Sequence, residues 1–238
     1  MDRRQFIRTT GLAAAAAGLA ACAPKAPAVG AEPRELKTNG TMLQNFPGIG
    51  VLGYGCMRWP MTKDENGVEH IDQQKVNDMV DKALANGVNY FDTSPVYLRG
   101  DSERATAEAL NRHPRESWLL ATKLSNFSDA SYDNSVLMYR NSLKVFKTDH
   151  IDYYLLHSIG SADDFKSRFE DTGILDFLLK EREAGRIRYL GFSIHSQQPG
   201  FDAMMEKHPK YHWDFVQIQM NYLDWTHAGG RNTNAKYL

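Results

Sequence analysis

Short apolar runs alternate with amphipathic stretches along most of this chain, and this alternation restricts the fold more than any other feature. Six such runs predict strands at 50–57, 88–93, 118–124, 151–157, 188–194 and 215–220. Apolar residues at helical spacing between them predict helices over about 76–85, 102–111, 134–146 and 174–184. Strands that are apolar throughout and alternate with helices indicate a parallel sheet covered by helices.

A parallel sheet of this kind is either an open, doubly wound sheet or a closed barrel. A doubly wound nucleotide-binding fold carries a glycine-rich phosphate turn after its first strand, and a helix follows that turn. Here the segment Gly53-Tyr54-Gly55-Cys56-Met57-Arg58 lacks the third glycine and continues into Trp59-Pro60. Because polar residues are concentrated at the strand ends, the sequence predicts an α/β fold, a (β/α)8 TIM-type barrel with about six β/α units present.

The first 22 residues resemble an export signal. Arg3-Arg4 precedes a soft apolar run over 11–21, which is too short to cross a bilayer. This arrangement resembles a twin-arginine signal, and Leu19-Ala20-Ala21-Cys22 resembles the lipobox of bacterial lipoproteins. We therefore expect export by the twin-arginine route and a periplasmic or outer-membrane protein that contacts the membrane only through lipid on Cys22. The alternative is an alanine-rich helix with a chance cysteine.

After this signal, residues 23–35 carry three prolines among small residues and predict a flexible tether. The barrel is then expected over 36–238, and Asn39-Gly40 predicts a two-residue hairpin near its start. If Cys22 carries lipid, the other cysteine, Cys56, has no partner, which excludes disulfides and cysteine metal sites.

The charge balance restricts the partners. The chain carries 28 basic and 29 acidic residues, a net charge of -1. It therefore has neither the basic surface that nucleic acid requires nor a polybasic membrane patch, and small, uncharged substrates are favoured.

Polar residues at successive strand ends predict one active site. Asp92, Lys123, His157 and Ser193 are separated by 31, 34 and 36 residues, about one strand-helix unit each. An ammonium such as that of Lys123 stabilises the anion of a phenol, here Tyr97, and a carboxylate keeps the ammonium charged. An imidazole can orient a substrate carbonyl. This set suits carbonyl reduction, in which a cofactor supplies hydride and Tyr97 supplies a proton, with no metal.

Each of these residues also has an ordinary structural explanation. Asp92 alone could cap a turn, Tyr97 could be a loop aromatic, Lys123 a solvated rim charge and His157 a hydrogen-bonded core histidine. Separate explanations of this kind do not predict all four in this order at strand ends, so the common site is favoured.

From about residue 50 to 238 the chain resembles the aldo/keto reductase superfamily. The resemblance rests on these motifs: Phe91-Asp92-Thr93-Ser94-Pro95-Val96-Tyr97, Ser102-Glu103, Thr122-Lys123, Asp152-Tyr153-Tyr154-Leu155-Leu156-His157 and Gly185-Arg186-Ile187-Arg188-Tyr189-Leu190-Gly191-Phe192-Ser193. It implies a catalytic tetrad of Asp92, Tyr97, Lys123 and His157. It also implies NADP or NAD as cofactor and a small-molecule carbonyl substrate.

The same resemblance assigns the cofactor site. Ser193 and Gln217 match positions that hold the nicotinamide carboxamide, and Gly55, Cys56 and Met57 match a backbone segment beside the cofactor. His195 stands near the position where the family usually has an asparagine that also contacts the carboxamide. Two alternatives stay open for His195: a contact with the carboxamide or an ordinary surface histidine.

A narrower likeness is to a bacterial branch whose longer members carry a C-terminal ferredoxin-like region. Gly191-Phe192-Ser193-Ile194-His195-Ser196 is part of that likeness. No iron-sulfur cluster is expected in this chain, and a redox partner, if any, is unidentified. We expect a chain truncated before strands seven and eight, which in the family complete the cofactor site and distinguish NADP from NAD.

Two other functions remain as hypotheses. One is a catalytically inert lipoprotein scaffold or binding module built on a truncated barrel. The other is a metal-dependent hydrolase using His208 and His212, which Pro209 between them disfavours as a helical ligand pair.

Overall fold

A computed structural model describes Phe46 and residues 48–196 and 198–219. The predicted export signal, the tether, the Asn39-Gly40 hairpin and everything predicted for 220–238 lie outside the described residues. No helix within the described part of the chain is long and apolar enough to span a bilayer.

Parallel strands in sequence order form the main sheet. The strands are β1 (Gly53–Gly55), β2 (Met61–Lys63), β3 (Glu69–Ile71), β4 (Tyr90–Asp92), β5 (Leu119–Leu124), β6 (Ile151–Ile159), β7 (Ile187–Ile194) and β8 (Phe215–Ile218). The sheet has the order β1-β4-β5-β6-β7-β8, and each neighbouring pair is parallel. This half-barrel confirms the predicted incomplete (β/α)8 fold. The antiparallel hairpin of β2 and β3 was not predicted from the sequence.

Helices connect these strands. They are α1 (Gln73–Ala85), α2 (Asp101–Leu110), α3 (Tyr132–Phe146), α4 (Ala162–Phe165), α5 (Ile174–Glu183), α6 (Gln198–Glu206) and α7 (His208–Tyr211). The sequence predicted α1, α2, α3 and α5 to within about three residues at each end. The short helices α4 and α7 are a single turn each, too short to show a helical period.

Local sequence explains where α1 begins and ends. The Asp72 carboxylate caps the first turn by accepting a hydrogen bond from the Lys75 backbone N–H at 3.1 Å. Gly87, just past the helix, has a φ of +81°, a left-handed conformation that costs glycine little. The chain therefore turns back towards β4 at Asn86-Gly87, directly after the predicted end of this helix.

One face of the sheet carries aromatic rings at the amino ends of the strands and polar groups at the carboxyl ends. Tyr90, Tyr153, Tyr189 and Phe215 pack with Phe46 into one cluster. The Tyr153 and Tyr189 rings stack with their centroids 4.9 Å apart. Since alternate residues of a strand point to the same face, Asp92 and His157 lie on this face beyond the rings. The cluster fills one end of the half-barrel and leaves the other end for chemistry.

The predicted first strand needs correction. The sequence indicated a buried strand over 50–57, but β1 spans three residues and Cys56–Arg58 forms a 3-10 turn. Val51 and Leu52 are 68% and 67% exposed. These two residues precede β1, which within the described residues is an edge strand with β4 as its neighbour.

Candidate active site

The carboxyl ends of the parallel strands surround one cavity of about 410 Å³. Six of the predicted site residues line its wall: Met57, Tyr97, Lys123, His157, Ser193 and, from β8, Gln217. Arg58 and His195 lie beside them. Asp92 lies behind this wall, against Lys123. Arg58 adds a positive side chain to the cavity. We predicted uncharged substrates from the net charge of the whole chain, which does not report a local charge of this kind.

Lys123 carries a buried ammonium held by two oxygens. Its Nζ donates hydrogen bonds to Asp92 Oδ1 at 2.6 Å and to the Thr93 carbonyl at 2.8 Å. The residue is only 1% exposed. Burial raises the pKa of the Asp92 carboxyl, while the charge of Lys123 and its hydrogen bond pull that pKa back down. The pair is therefore electrostatically interdependent, since little solvent reaches either charge to replace its partner.

Tyr97 lies directly over this ammonium. Lys123 Nζ is 4.9 Å from the centroid of the phenol ring. Burial raises the pKa of Tyr97 above its ordinary value, and the charge of Lys123 lowers it in part. The phenol is thus protonated at neutral pH and has a cation beside it to stabilise the anion that proton donation would leave.

An unusual turn holds Tyr97 in place. After β4, the consecutive residues Leu98, Arg99 and Gly100 all have positive φ, at 50°, 60° and 101°. Left-handed conformations are costly for the first two, which have side chains. The turn brings the chain from the end of β4 into α2 while leaving Tyr97 over Lys123. Nothing in the local sequence predicted this backbone.

His157 completes the group and is neutral. Its ring meets the Tyr97 ring edge to face, with centroids 5.6 Å apart and an interplanar angle of 81°. Burial and then the charges of Lys123, Arg168 and His195 lower the pKa of His157 from 6.5 to about 3. A neutral imidazole can donate one hydrogen bond and accept another, so its tautomer decides what it offers to the cavity.

The depressed pKa of His157 predicts an acid-dependent loss of stability. Between pH 6.5 and about 3, a proton binds this imidazole in the unfolded chain but not in the folded protein. The contribution of neutral His157 is therefore complete above pH 6.5 and is lost as the pH falls, by about 1.4 kcal/mol per pH unit. We expect the free energy of unfolding in urea to fall more steeply from pH 6.5 to about pH 5 in the wild type than in His157→Gln. Equal slopes in the two proteins would contradict this assignment.

Further residues that the sequence did not single out support the imidazole. Ser125 and Ser94 place their hydroxyls against Nδ1, at 2.5 and 3.3 Å. Arg168 Nη2 donates to the His157 carbonyl at 3.0 Å, and its guanidinium lies over the Phe127 ring. Ser125 could have been found, because it stands two residues after Lys123 and a strand continued that far would place it on the same face. Arg168 gave no such signal.

Ser193 and Gln217 form a donor and an acceptor that suit an amide. Ser193 Oγ accepts the Ser158 backbone N–H at 2.8 Å, which leaves its hydroxyl proton to donate. Gln217 Oε1 is buried and accepts no hydrogen bond from the described residues. An unmet buried acceptor is costly unless a bound group satisfies it. The two residues are paired across β7 and β8, so a carboxamide fits this donor set.

The first-strand segment contributes unequally to the cavity. Met57 lines the cavity, whereas the Cys56 side chain is fully buried. The backbone carbonyl of Cys56 accepts a hydrogen bond from Ser102 Oγ at 2.8 Å. Burial raises the pKa of the Cys56 thiol, so it stays protonated. Gly55 is the last residue of β1 and pairs with Asp92 in register. These three residues are therefore adjacent to the site, but only the Met57 side chain faces it.

Residues 48–196 and 198–219 contain no group of three or more His, Cys, Asp or Glu side chains that could hold a metal ion. His208 and His212 lie at the first residue of α7 and just after it, with ring centroids 6.2 Å apart. Two rings at this separation do not by themselves make a metal site.

Comparison with known proteins identifies what the chain resembles. A family model described as the Aldo/keto reductase family matches residues 51–233. A soybean (Glycine max) protein described as probable aldo-keto reductase 1 is 27% identical over 186 residues, which cover 75% of this chain and 49% of that protein. Across the first curated relatives, the chain spans about half the length of the proteins it matches.

Solved structures give the same result for the fold. The holo form of aldo-keto reductase AKR11C1 from Bacillus halodurans is 26% identical, with a TM-score of 0.56 over 72% of this chain and 53% of that one. An aldo-keto reductase from Klebsiella pneumoniae in complex with NADPH is 21% identical, with a TM-score of 0.55 over 71% of this chain and 54% of that one.

Proposed function

The chain belongs to the aldo/keto reductase family, and on that premise we propose that its site reduces an aldehyde or ketone to an alcohol with NADPH or NADH. The observation that carries this proposal is the buried Lys123 ammonium, which Asp92 holds at 2.6 Å beneath the Tyr97 ring. Removing both an ammonium and a carboxylate from water carries a desolvation cost, so a role in the chemistry explains the pair better than a role in stability.

The roles follow from the electrostatics of the three residues. As negative charge develops on a substrate carbonyl oxygen, Tyr97 donates its phenol proton to that oxygen. Lys123 stabilises the resulting phenolate, and Asp92 keeps Lys123 protonated. Neutral His157 orients the same carbonyl oxygen by donating a hydrogen bond. Solvent then returns a proton to Tyr97, so one hydride and one proton convert the carbonyl to an alcohol.

A nicotinamide cofactor, when bound, supplies the hydride. We propose that Ser193 donates to the oxygen of its carboxamide and that Gln217 accepts from its nitrogen. Gly55, Cys56 and Met57 would lie beside it. The NADPH bound by the Klebsiella pneumoniae relative supports NADP(H) as the first cofactor to test. His195 also lines the cavity, and we propose it as a further carboxamide neighbour.

Binding of NADPH to the purified chain tests the cofactor half of the proposal. We expect NADPH to bind, as measured by calorimetric titration, and Ser193→Ala to weaken the affinity about three- to tenfold, because one hydrogen bond is lost. Ser142→Ala is the matched control, since it removes a buried serine hydroxyl that donates to Glu103 at 2.8 Å. No binding to the wild type would overturn the proposal for this chain and would favour the inert scaffold.

We also propose that the protein is exported by the twin-arginine route and anchored by lipid on Cys22, which the motifs at 3–4 and 19–22 support. A route that carries folded proteins allows a bound cofactor to travel with the chain. We expect Cys22→Ser to move the protein from the membrane to the soluble periplasmic fraction. Replacing both Arg3 and Arg4 with lysine should retain it in the cytoplasm. Membrane association that survives Cys22→Ser would contradict the lipid anchor.

A further inference from the structure

Two serine hydroxyls form a short hydrogen-bonded chain behind His157. Ser125 Oγ lies 2.5 Å from His157 Nδ1 and 2.8 Å from Ser94 Oγ, and Ser94 Oγ lies 3.3 Å from the same Nδ1. All three residues are buried, at 3%, 0% and 7% exposure for Ser125, Ser94 and His157. Since His157 is neutral, one ring nitrogen carries a proton and the other accepts, and these hydroxyls decide which.

Counting donors and acceptors favours Nδ1 as the acceptor. If Ser125 donates to Nδ1 and Ser94 donates to Ser125, both hydroxyl protons are used at the two shortest contacts, 2.5 and 2.8 Å. Ser94 Oγ then accepts the Val96 backbone N–H at 3.3 Å. No hydroxyl in this arrangement is left without a partner.

The opposite tautomer satisfies these groups less well. If Nδ1–H donates to Ser125, the Ser125 proton must go either to the Lys123 carbonyl, at a long 3.4 Å, or to Ser94. In the second case the Ser94 proton has no acceptor among the described residues. Buried hydroxyls that lack a partner, or bond at long distance, raise the free energy of that state.

We propose that Ser125, assisted by Ser94, is a positioning residue that fixes His157 as the Nε2–H tautomer. Because Nδ1 is occupied by the serines, Nε2–H is the polar group of the ring that remains for the cavity. Its role in catalysis, which is to donate a hydrogen bond to a substrate carbonyl, rests on the proposed function. The other groups facing the ring do not compete for this role. Lys123, Arg168 and His195 oppose a second proton, while Tyr97 and Phe127 flank the ring with centroids 5.6 and 5.1 Å away.

Nitrogen-15 NMR of histidine-labelled protein tests this proposal without turnover. Two-bond couplings between the ring nitrogens and the carbon-bound ring protons distinguish the Nε2–H tautomer from the Nδ1–H tautomer. The His157 signals are assigned by their loss in His157→Gln. In the full 238-residue chain we expect His157 to be the Nε2–H tautomer at neutral pH. A wild-type His157 that carries its proton on Nδ1 would overturn the proposal whatever the serine variants show.

Variants then separate positioning from packing. Ser125→Ala should give a mixture of tautomers, because Ser94 remains only as a longer contact. Ser94→Ala should keep the Nε2–H tautomer, since Ser125 can still donate. The buried control Ser142→Ala should leave the His157 signals unchanged. An unaltered, single Nε2–H tautomer in Ser125→Ala would show that other groups fix the ring and would overturn the proposal.

Kinetics distinguish this proposal from the proposed function on which it rests. If the chain reduces carbonyls, Ser125→Ala should lower kcat about two- to tenfold, as expected for one weakened hydrogen bond, with little change in NADPH affinity. If the chain neither binds NADPH nor turns over, the proposed function fails, but the NMR result still decides the role of Ser125.

Discussion

Replacing Tyr97 with Phe should reduce the rate of carbonyl reduction by about 10²- to 10⁴-fold, the usual contribution of a positioned proton donor. The substitution removes only the hydroxyl, so the ring remains over Lys123 and edge to face with His157. Affinity for NADPH should stay within about threefold, because no hydrogen bond to the cofactor is assigned to this side chain. Initial rates of alcohol formation and calorimetric binding measure the two effects separately.

A tyrosine elsewhere supplies the control for this prediction. Tyr132 lies at the first residue of α3, is 44% exposed and contacts the Phe177 ring rather than the site. Tyr132→Phe should therefore leave both rate and affinity unchanged. A Tyr97→Phe protein that turns over at the wild-type rate would assign the proton donor to another group.

Replacing Lys123 with Met should destabilise the fold by about 3–5 kcal/mol at pH 7, the cost of leaving a buried partner charge alone. Lys123 is 1% exposed and its ammonium forms a 2.6 Å hydrogen bond with Asp92, whose carboxylate would then have no cation in contact among the described residues. Asp92 already has a raised pKa from burial, and losing Lys123 raises it further. Relative to the wild type, the loss should shrink as the pH falls and Asp92 takes up a proton. Urea denaturation at neutral and acid pH measures this difference.

Two comparisons interpret the result for Lys123. The double variant Asp92→Asn with Lys123→Met should recover part of the lost stability at neutral pH, because no unpaired charge remains. Lys166→Met is the exposed control: its ion pair with Asp171 lies in solvent at 60% and 54% side-chain exposure, and such pairs contribute little. A Lys123→Met protein that is no less stable than Lys166→Met would contradict a tightly held buried pair.

The sequence predicted the parallel sheet and its main helices because these depend on the period of apolar residues. The period also gave the spacing that places Asp92, Lys123 and His157 at neighbouring strand ends. The fold brought them into contact as expected, with Lys123 on Asp92 and His157 beside Tyr97. The assignment of Ser193 and Gln217 needed the family resemblance, since neither residue type carries a spacing signal of its own.

The remaining parts of the site depend on tertiary contacts that the sequence does not encode locally. The left-handed pair Leu98 and Arg99 has no turn signature in its residue types. Arg168 reaches the His157 carbonyl from the five-residue turn Lys166–Glu170, which follows the end of β6 at Ile159. The net rise in the Tyr97 pKa depends on burial, which the sequence does not show; the sequence showed only the neighbouring cation that lowers this pKa.

Transfer of deuterium tests the central claim most directly. The purified chain is incubated with NADPH deuterated at the transferable position of the nicotinamide and with a panel of small aldehydes and ketones, and the products are measured by mass spectrometry. We predict an alcohol that carries one deuterium on the former carbonyl carbon, formed by the wild type and strongly reduced in Tyr97→Phe. An alcohol without deuterium, or no alcohol from a chain that binds NADPH, would contradict the assignment of Asp92, Tyr97, Lys123 and His157 as a carbonyl-reducing site.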